Sequence, residues 1–126
     1  MSEATPTAEQ LAALSRWPKH EPVVMINLLA FKRPAGAQSY ARYAGEVAPH
    51  LQRAGAQVLY LGQERQMVIG AAERAWWDAI IVVEYPSVDA FLTMVGDPDY
   101  QLAHPHREAA LERAELIATA RGMSEQ

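Results

Sequence analysis

The stretch WWDAIIVVEYPS, residues 76–87, decides the fold of this chain. It is an apolar run of strand-forming residues that stops at a Pro-Ser pair, as a buried central strand does where a helix begins. Ser87 is a favoured N-cap residue, and the following VDAFLTMVG, residues 88–96, carries apolar residues at helical spacing. We therefore predict a strand over residues 76–85 that leads directly into a short amphipathic helix, which is half of a βα unit.

Three further elements precede this stretch. VVMINLLAF, residues 23–31, is apolar at all but one position, which predicts a second central strand. Residues 37–54 repeat apolar and aromatic side chains three and four apart, which predicts a helix that Pro49 should bend or break. QVLYLGQ, residues 57–63, predicts a third strand, and MVIG, residues 67–70, predicts its continuation after a bend.

Helical pieces and a last strand follow it. Asp97 and Pro98 form a second helix start, with an acidic cap and proline at the first helical position. Because Pro105 removes a backbone donor, we expect a short turn as far as His104 and a separate helix over residues 105–113. ELIATAR, residues 115–121, predicts the last strand.

The chain divides into one domain with two flanking segments. Residues 1–22 form an N-terminal extension with a short helix over residues 8–16, capped by Thr7. Residues 23–121 form the domain and residues 122–126 a tail. The domain's order of elements, β-α-β-β-α-β with an extra helical piece, predicts an α+β ferredoxin-like sandwich. We expect its two inner strands to run parallel.

The predicted sheet has two apolar faces and helices for only one of them. Along residues 23–31, Met25 and Leu29 alternate with Ile26 and Leu28, so both faces of this strand are apolar. A partner sheet is the natural cover for the second face. The sequence therefore predicts a homodimer that closes two sheets into a barrel.

Composition excludes several classes of function. A net charge of −4 with interspersed signs gives no basic stripe for nucleic acid. The chain has no cysteine, which excludes disulfides, thiolate metal sites and a cysteine nucleophile. It shows no signal peptide and no apolar run long enough to span a bilayer, so we expect a cytoplasmic protein without a membrane partner. No motif indicates a cofactor.

Two polar residues interrupt the inner strands. If Asn27 and Glu84 face the same side, they place an amide and a carboxylate at one cavity, where burial would raise the pKa of the carboxyl group. Equally, Asn27 can bond a neighbouring backbone, and Glu84 can form a salt bridge with Arg33 or Arg42.

A second polar group lies at the start of the late helix. His104 can act as a general base and Arg107 can hold a carboxylate or enolate, with Tyr100 one turn away. The alternative is a solvated helix end with a structural Tyr-Arg contact. His104 and His106 point in different directions on a helix or turn, so we predict no metal site.

Aromatic residues occur on several elements. Tyr43, Tyr60 and their neighbours can line an apolar pocket with a few polar groups, or they can be ordinary core. In the first case Asn27, Tyr43, Tyr60 and Tyr100 would bind substrate, and His104, Arg107 and Glu84 would be the catalytic candidates.

The chain resembles the family called domain of unknown function 1330. The resemblance rests on several matching segments. They are VVMINLLAFK, Tyr40-Ala-Arg-Tyr43-Ala, Val47, Pro49, Gly55-Ala-Gln-Val58-Leu59, IVVEYPSVDAF, Asp97-Pro-Asp-Tyr100 and Arg107. It runs from about residue 23 to residue 121 and implies a dimeric α+β barrel, related in fold to cofactor-free monooxygenases, muconolactone isomerases and haem-binding chlorite dismutases. The His-Pro-His at residues 104–106 departs from the family pattern, so the resemblance implies no role for those histidines.

Two hypotheses of function follow. The first is a small-molecule-binding homodimeric barrel acting as a cofactor-free enzyme of proton-transfer or monooxygenase type on an apolar, enolisable substrate. The second is a non-catalytic dimeric module with a filled core. Haem binding is a third alternative, and the fold by itself does not choose among them.

Overall fold

Residues 5–122 fold into one antiparallel sheet with four helices, which confirms the α+β ferredoxin-like class. The computed structural model describes residues 5–122, so residues 1–4 of the predicted extension and residues 123–126 of the predicted tail lie outside the described part. The elements in chain order are α1 (Ala8–Ser15), β1 (Val23–Phe31), α2 (Gly36–Ala54), β2 (Gln57–Gly62), β3 (Ala79–Tyr85), α3 (Val88–Gly96), α4 (Pro98–Ala110) and β4 (Leu111–Thr119).

The strands run in the order β2-β3-β1-β4, and every neighbouring pair is antiparallel. The prediction of parallel inner strands is therefore wrong. One crossover joins β1 to β2 through α2, and the other joins β3 to β4 through α3 and α4. The two strands of each crossover are parallel but are not neighbours, because β3 lies between β1 and β2, and β1 lies between β3 and β4. The inner pair β1 and β3 belongs to different crossovers, so these strands run in opposite directions.

The register assigns each side chain to one face of the sheet. Val23, Met25 and Leu29 face the helices together with Val83 and Tyr85, and all five are buried. These residues form the core with the apolar sides of α2, α3 and α4. The opposite face carries no helix among residues 5–122 and is called the open face below.

Both internal prolines lie inside continuous helices, so α2 is not broken at Pro49, and the separate helix expected from Pro105 is wrong. Helix α2 passes through Pro49, and α4 runs unbroken through Pro105. A proline inside a helix costs about 3 kcal/mol. In α4 the buried residues Tyr100, Ala103 and Arg107 continue at helical spacing across Pro105, and this packing outweighs the cost.

Strand boundaries in the second half also differ from the prediction. Strand β3 begins at Ala79 rather than Trp76, and β4 occupies Leu111–Thr119, four residues earlier at its start than predicted. Residues 67–70 form a bend rather than a continuation of β2. Val68 and Ile69 are 85% and 94% exposed there, so no facing strand or helix holds them extended.

The caps and the closest helix contact explain how the helices are fixed. Ser87 and Asp97 cap α3 and α4 with their side-chain oxygens, as predicted, and Thr7 caps α1. At Gly36 a Cβ atom would lie 2.5 Å from the carbonyl oxygen of Ala110, so only glycine lets the start of α2 approach the end of α4 this closely. No helix within residues 5–122 is long and apolar enough to cross a membrane.

Candidate functional site

A cluster of phenols and one guanidinium lies between the helices and the sheet. We call Tyr40, Tyr43, Tyr85, Tyr100 and Arg107 the tyrosine-arginine cluster. Helix α2 presents Tyr40 and Tyr43 on one side because they are three residues apart, and α4 presents Tyr100 and Arg107 two turns apart. Arg107 is only 7% exposed, which is unusual for a charged side chain.

Hydrogen bonds and ring contacts connect the cluster. The hydroxyl groups of Tyr43 and Tyr100 lie 2.9 Å apart, and their rings meet edge to face at 6.4 Å between centroids. The Tyr40 hydroxyl forms a hydrogen bond with Arg107, and its ring lies 5.4 Å from that of Tyr43. Tyr40, Tyr43, Tyr100 and Arg107 thus form one connected network that crosses from α2 to α4.

Burial keeps three phenols of the cluster protonated. Burial raises the pKa of Tyr40, Tyr43 and Tyr85 above the usual value for a phenol. At each of them the positive charge of Arg107 opposes the rise without overcoming it. These tyrosines can therefore donate hydrogen bonds near neutral pH, but they cannot serve as bases.

His104 lies at the edge of the cluster. Its ring is 6.2 Å from that of Tyr100, and its Nε2 atom lies 3.3 Å from Thr5 Oγ1 and 3.8 Å from Glu108 Oε1. Partial burial lowers the pKa of His104, Glu108 opposes this, and Arg107 adds to it. The ring is therefore mainly neutral at pH 7 and able to accept a proton.

His106 points elsewhere, as its spacing from His104 predicts. Its Nε2 atom lies 3.4 Å from Glu46 Oε1 on α2. Within residues 5–122 no three His, Asp or Glu side chains are grouped closely enough to hold a metal ion.

Asn27 and Glu84 do not share a cavity. Asn27 is paired with Ile81 and faces the helices, whereas Glu84 is paired with Val24 and faces the other way. Asn27 Nδ2 donates to the carbonyl oxygen of Ile81 at 3.2 Å, which is the backbone alternative stated above.

Glu84 forms a salt bridge, but its partner is Arg121 at 2.7 Å rather than Arg33 or Arg42. The hydrogen bond from Arg121 lowers the pKa of Glu84, which is opposite to the rise expected from burial. Tyr60 also lies on the open face, opposite Val82, and is 57% exposed. The geometry therefore joins Tyr43, Tyr100, His104 and Arg107 and separates Glu84 and Tyr60 from them.

Sequence reasoning missed a cavity on the open face. Residues 63–78, which we call the arm, connect β2 to β3 and fold over one end of this face. A cavity of about 540 Å³ lies beneath the arm, and it is called the open-face cavity. Its floor is Leu28 and Ile80, and its walls include Trp77, Arg74 and Arg113. The alternation of Arg113 and Glu115 with apolar residues in β4 is the only signal in the sequence, and it does not show how the arm folds.

A family model described as domain of unknown function (DUF1330) matches residues 25–120. The chain belongs to this family. The assignment confirms the resemblance seen in the sequence, and the DUF1330 region covers all four strands up to Thr119 except the first two residues of β1. No curated protein sequence matches the chain.

Solved structures share the fold of this chain. A protein of unknown function from Rhodopseudomonas palustris is 34% identical with a TM-score of 0.86, and the alignment covers 98% of this chain and 100% of that protein. A hydroxynitrile lyase from Passiflora edulis has a TM-score of 0.61 at 15% identity, covering 85% of this chain and 99% of the lyase. A NIPSNAP domain protein from Burkholderia xenovorans has a TM-score of 0.58 at 10% identity, covering 79% and 94% of the two chains. The last two show the shared fold alone.

Proposed function

We propose that this DUF1330 chain is one subunit of a homodimeric α/β barrel that binds a small apolar organic anion, a carboxylate or an enolate, at the tyrosine-arginine cluster. The observation that carries the proposal is the guanidinium of Arg107, 7% exposed and surrounded by phenol groups that burial keeps protonated. A guanidinium with five N–H donors in a low-dielectric setting suits the two oxygens of a carboxylate.

The remaining cluster residues have roles that follow from their chemistry. Tyr43 and Tyr100 donate hydrogen bonds to oxygen atoms of the ligand, and the surrounding rings contact its apolar part. His104 is the candidate base. A proton taken from a carbon next to a carbonyl group would pass to its neutral ring, and the electron pair would move to the carbonyl oxygen as an enolate beside Arg107.

The dimer is proposed from the open face. Ile26, Leu28 and Val82 lie on this face, and Tyr60 and Ile117 there are 57% and 44% exposed. Because a monomer would leave this apolar surface in water, a second sheet is the natural cover. Sedimentation at micromolar concentration tests this step, and a stable monomer would contradict it.

Ligand binding is tested with benzoate, phenylacetate and phenylpyruvate in a thermal shift assay followed by titration calorimetry. Arg107→Lys retains the charge and removes the planar fork of donors, so we expect its affinity for a binding carboxylate to fall about tenfold or more. Arg42→Lys is the matched control, because Arg42 lies on α2 with its side chain 70% exposed. An Arg107→Lys protein that folds, by near-UV circular dichroism, and binds as wild type does would rule out the role of Arg107.

A second candidate function is a non-catalytic dimeric module with a filled core. It is favoured by the internal satisfaction of polar groups: Tyr43 bonds Tyr100, and Asn27 bonds the backbone at Ile81. This candidate predicts that none of the three carboxylates stabilises the wild-type protein.

A further inference from the structure

The arm is fixed firmly at its base. Arg74 forms a salt bridge of 2.6 Å with Glu64, whose side chain is only 9% exposed. Arg113 of β4 donates to the carbonyl oxygen of Trp76, and its guanidinium lies 4.5 Å from the centre of the Trp77 ring. The two ends of the arm are therefore tied to each other and to the sheet.

The end of the arm that joins β3 is fixed further by backbone contacts. The carboxylate of Asp78 accepts from the backbone N–H of Phe31 at 2.8 Å and from Arg33 at 2.9 Å. The backbone N–H of Asp78 donates to the carbonyl oxygen of Leu29 at 2.8 Å. These bonds give the arm a defined exit from the sheet.

The tip of the arm, Val68 and Ile69, is apolar and exposed to solvent. Val68 and Ile69 are adjacent in sequence and 85% and 94% exposed. Gly70 closes the tip with φ of 153°, and a Cβ atom at this position would lie 2.6 Å from the sulfur of Met67. Because the base is fixed and the turn is tight, the two β-branched side chains stay exposed to water. An exposed apolar pair of this kind suits contact with another molecule.

The open-face cavity offers apolar side chains to such a tip. Its apolar lining residues are Leu28, Ala75, Trp77 and Ile80, and its charged ones are Glu64, Arg74, Arg113 and Glu115, with Arg74 and Glu64 paired. Residues at the base of the arm form its wall, so the tip of the same arm lies outside it. An exposed apolar tip and a cavity with apolar lining on one chain can pair reciprocally in a two-fold symmetric dimer.

We propose that Val68 and Ile69 of each subunit occupy the open-face cavity of a second copy of this chain. The arm exchange rests on the homodimer proposed above and specifies which segments hold it together. It makes the dimer depend on a loop that lies outside the sheet and distant in sequence from the tyrosine-arginine cluster.

The first test compares Ile69→Asp with Leu102→Asp, a matched control that is 74% exposed on α4. Because a two-fold dimer contains the contact twice, Ile69→Asp should raise the dimer dissociation constant by on the order of 100-fold or more. Leu102→Asp should leave it within about threefold. A wild-type monomer in sedimentation would refute the dimer itself, whereas a wild-type dimer unchanged by Ile69→Asp would refute only the arm exchange.

The second test uses the absence of cysteine from the natural sequence. An Ile69→Cys chain is mixed with an equal amount of a ¹⁵N-labelled Ala75→Cys chain, oxidised with diamide and weighed by mass spectrometry. The exchange predicts that the mixed disulfide dominates over both like-with-like disulfides and disappears when Leu102→Cys replaces Ile69→Cys. A mixed disulfide that makes up only about half of the product would refute the exchange, because random collision between equal amounts of two chains gives that fraction.

Discussion

The hydroxyl pair of Tyr43 and Tyr100 offers the sharpest test of the buried cluster. Tyr43→Phe removes one hydroxyl and leaves the Tyr100 hydroxyl, 2.9 Å away in a side chain only 5% exposed, without that bond. Leaving a buried polar group without its partner costs about 1–3 kcal/mol of unfolding free energy. For a chain of this size that corresponds to roughly 3–5 °C in Tm for each kcal/mol.

The measurement is urea unfolding followed by tryptophan fluorescence and circular dichroism at one fixed protein concentration, since a dimer's stability depends on it. Tyr43→Phe, Tyr100→Phe and the double variant complete a thermodynamic cycle. We expect the double variant to cost about 1 kcal/mol less than the sum of the single variants, because replacing both partners leaves no orphaned hydroxyl. Thr93→Val, which removes an exposed hydroxyl on α3, is the control and should change stability by less than about 0.5 kcal/mol. A single-variant cost as small as this control, or strict additivity in the cycle, would refute the bond's structural role.

Three other outcomes are expected. Because burial lowers the pKa of His104, the unfolded chain binds a proton at this residue more readily than the folded chain does, so stability should fall as the pH drops below about 6.5. His104→Gln should make this fall less steep, and an unchanged slope would contradict the role of His104. The raised pKa values of the buried tyrosines affect stability at high pH. Above about pH 10 the unfolded chain loses phenolic protons before the folded chain does, so stability should fall with rising pH. Absorbance at 295 nm should show these phenols ionising only as the protein unfolds. Gly36→Ala should destabilise by about 1–3 kcal/mol, because its Cβ would meet a backbone oxygen at 2.5 Å. Gly45→Ala, also in α2 but with nothing within 4 Å of the new Cβ, should stabilise by about 0.5–1 kcal/mol in the same urea assay, and equal effects at the two glycines would refute the steric explanation.

The fold was accessible from the sequence because local signals and global packing agree. The apolar run at residues 23–31 matches β1 at both ends, and Ser87 and Asp97 cap the helices they were expected to cap. Internal prolines misled the helix predictions, since the cost of a proline is local while the buried stripe of α4 extends to both sides of Pro105.

The candidate site was only partly accessible for a different reason. Side chains alternate between faces with a period of two, so whether Asn27 and Glu84 meet depends on a register that no single strand encodes. Tyr43, Tyr100 and Arg107 met because helical spacing placed each on the buried side of its helix. The open-face cavity depends on the path of the arm, which is fixed by long-range contacts such as that of Arg113 with Trp77.

The division of candidate residues between two faces separates the proposed binding site from the proposed subunit interface. Glu84 and Tyr60 lie on the open face with the cavity, whereas Arg107 and His104 lie on the helix side, so the sheet stands between the two groups. A substitution at the tip of the arm should therefore change assembly while leaving the Tyr43-Tyr100 bond intact. Arg107→Lys should instead lower the affinity for a carboxylate while leaving assembly unchanged. The alternation of side chains along each strand makes this separation possible, because successive residues of a strand point to opposite faces of the sheet. Because β1 is apolar on both faces, one sheet can pack against helices on one side and, as we propose, against a second subunit on the other.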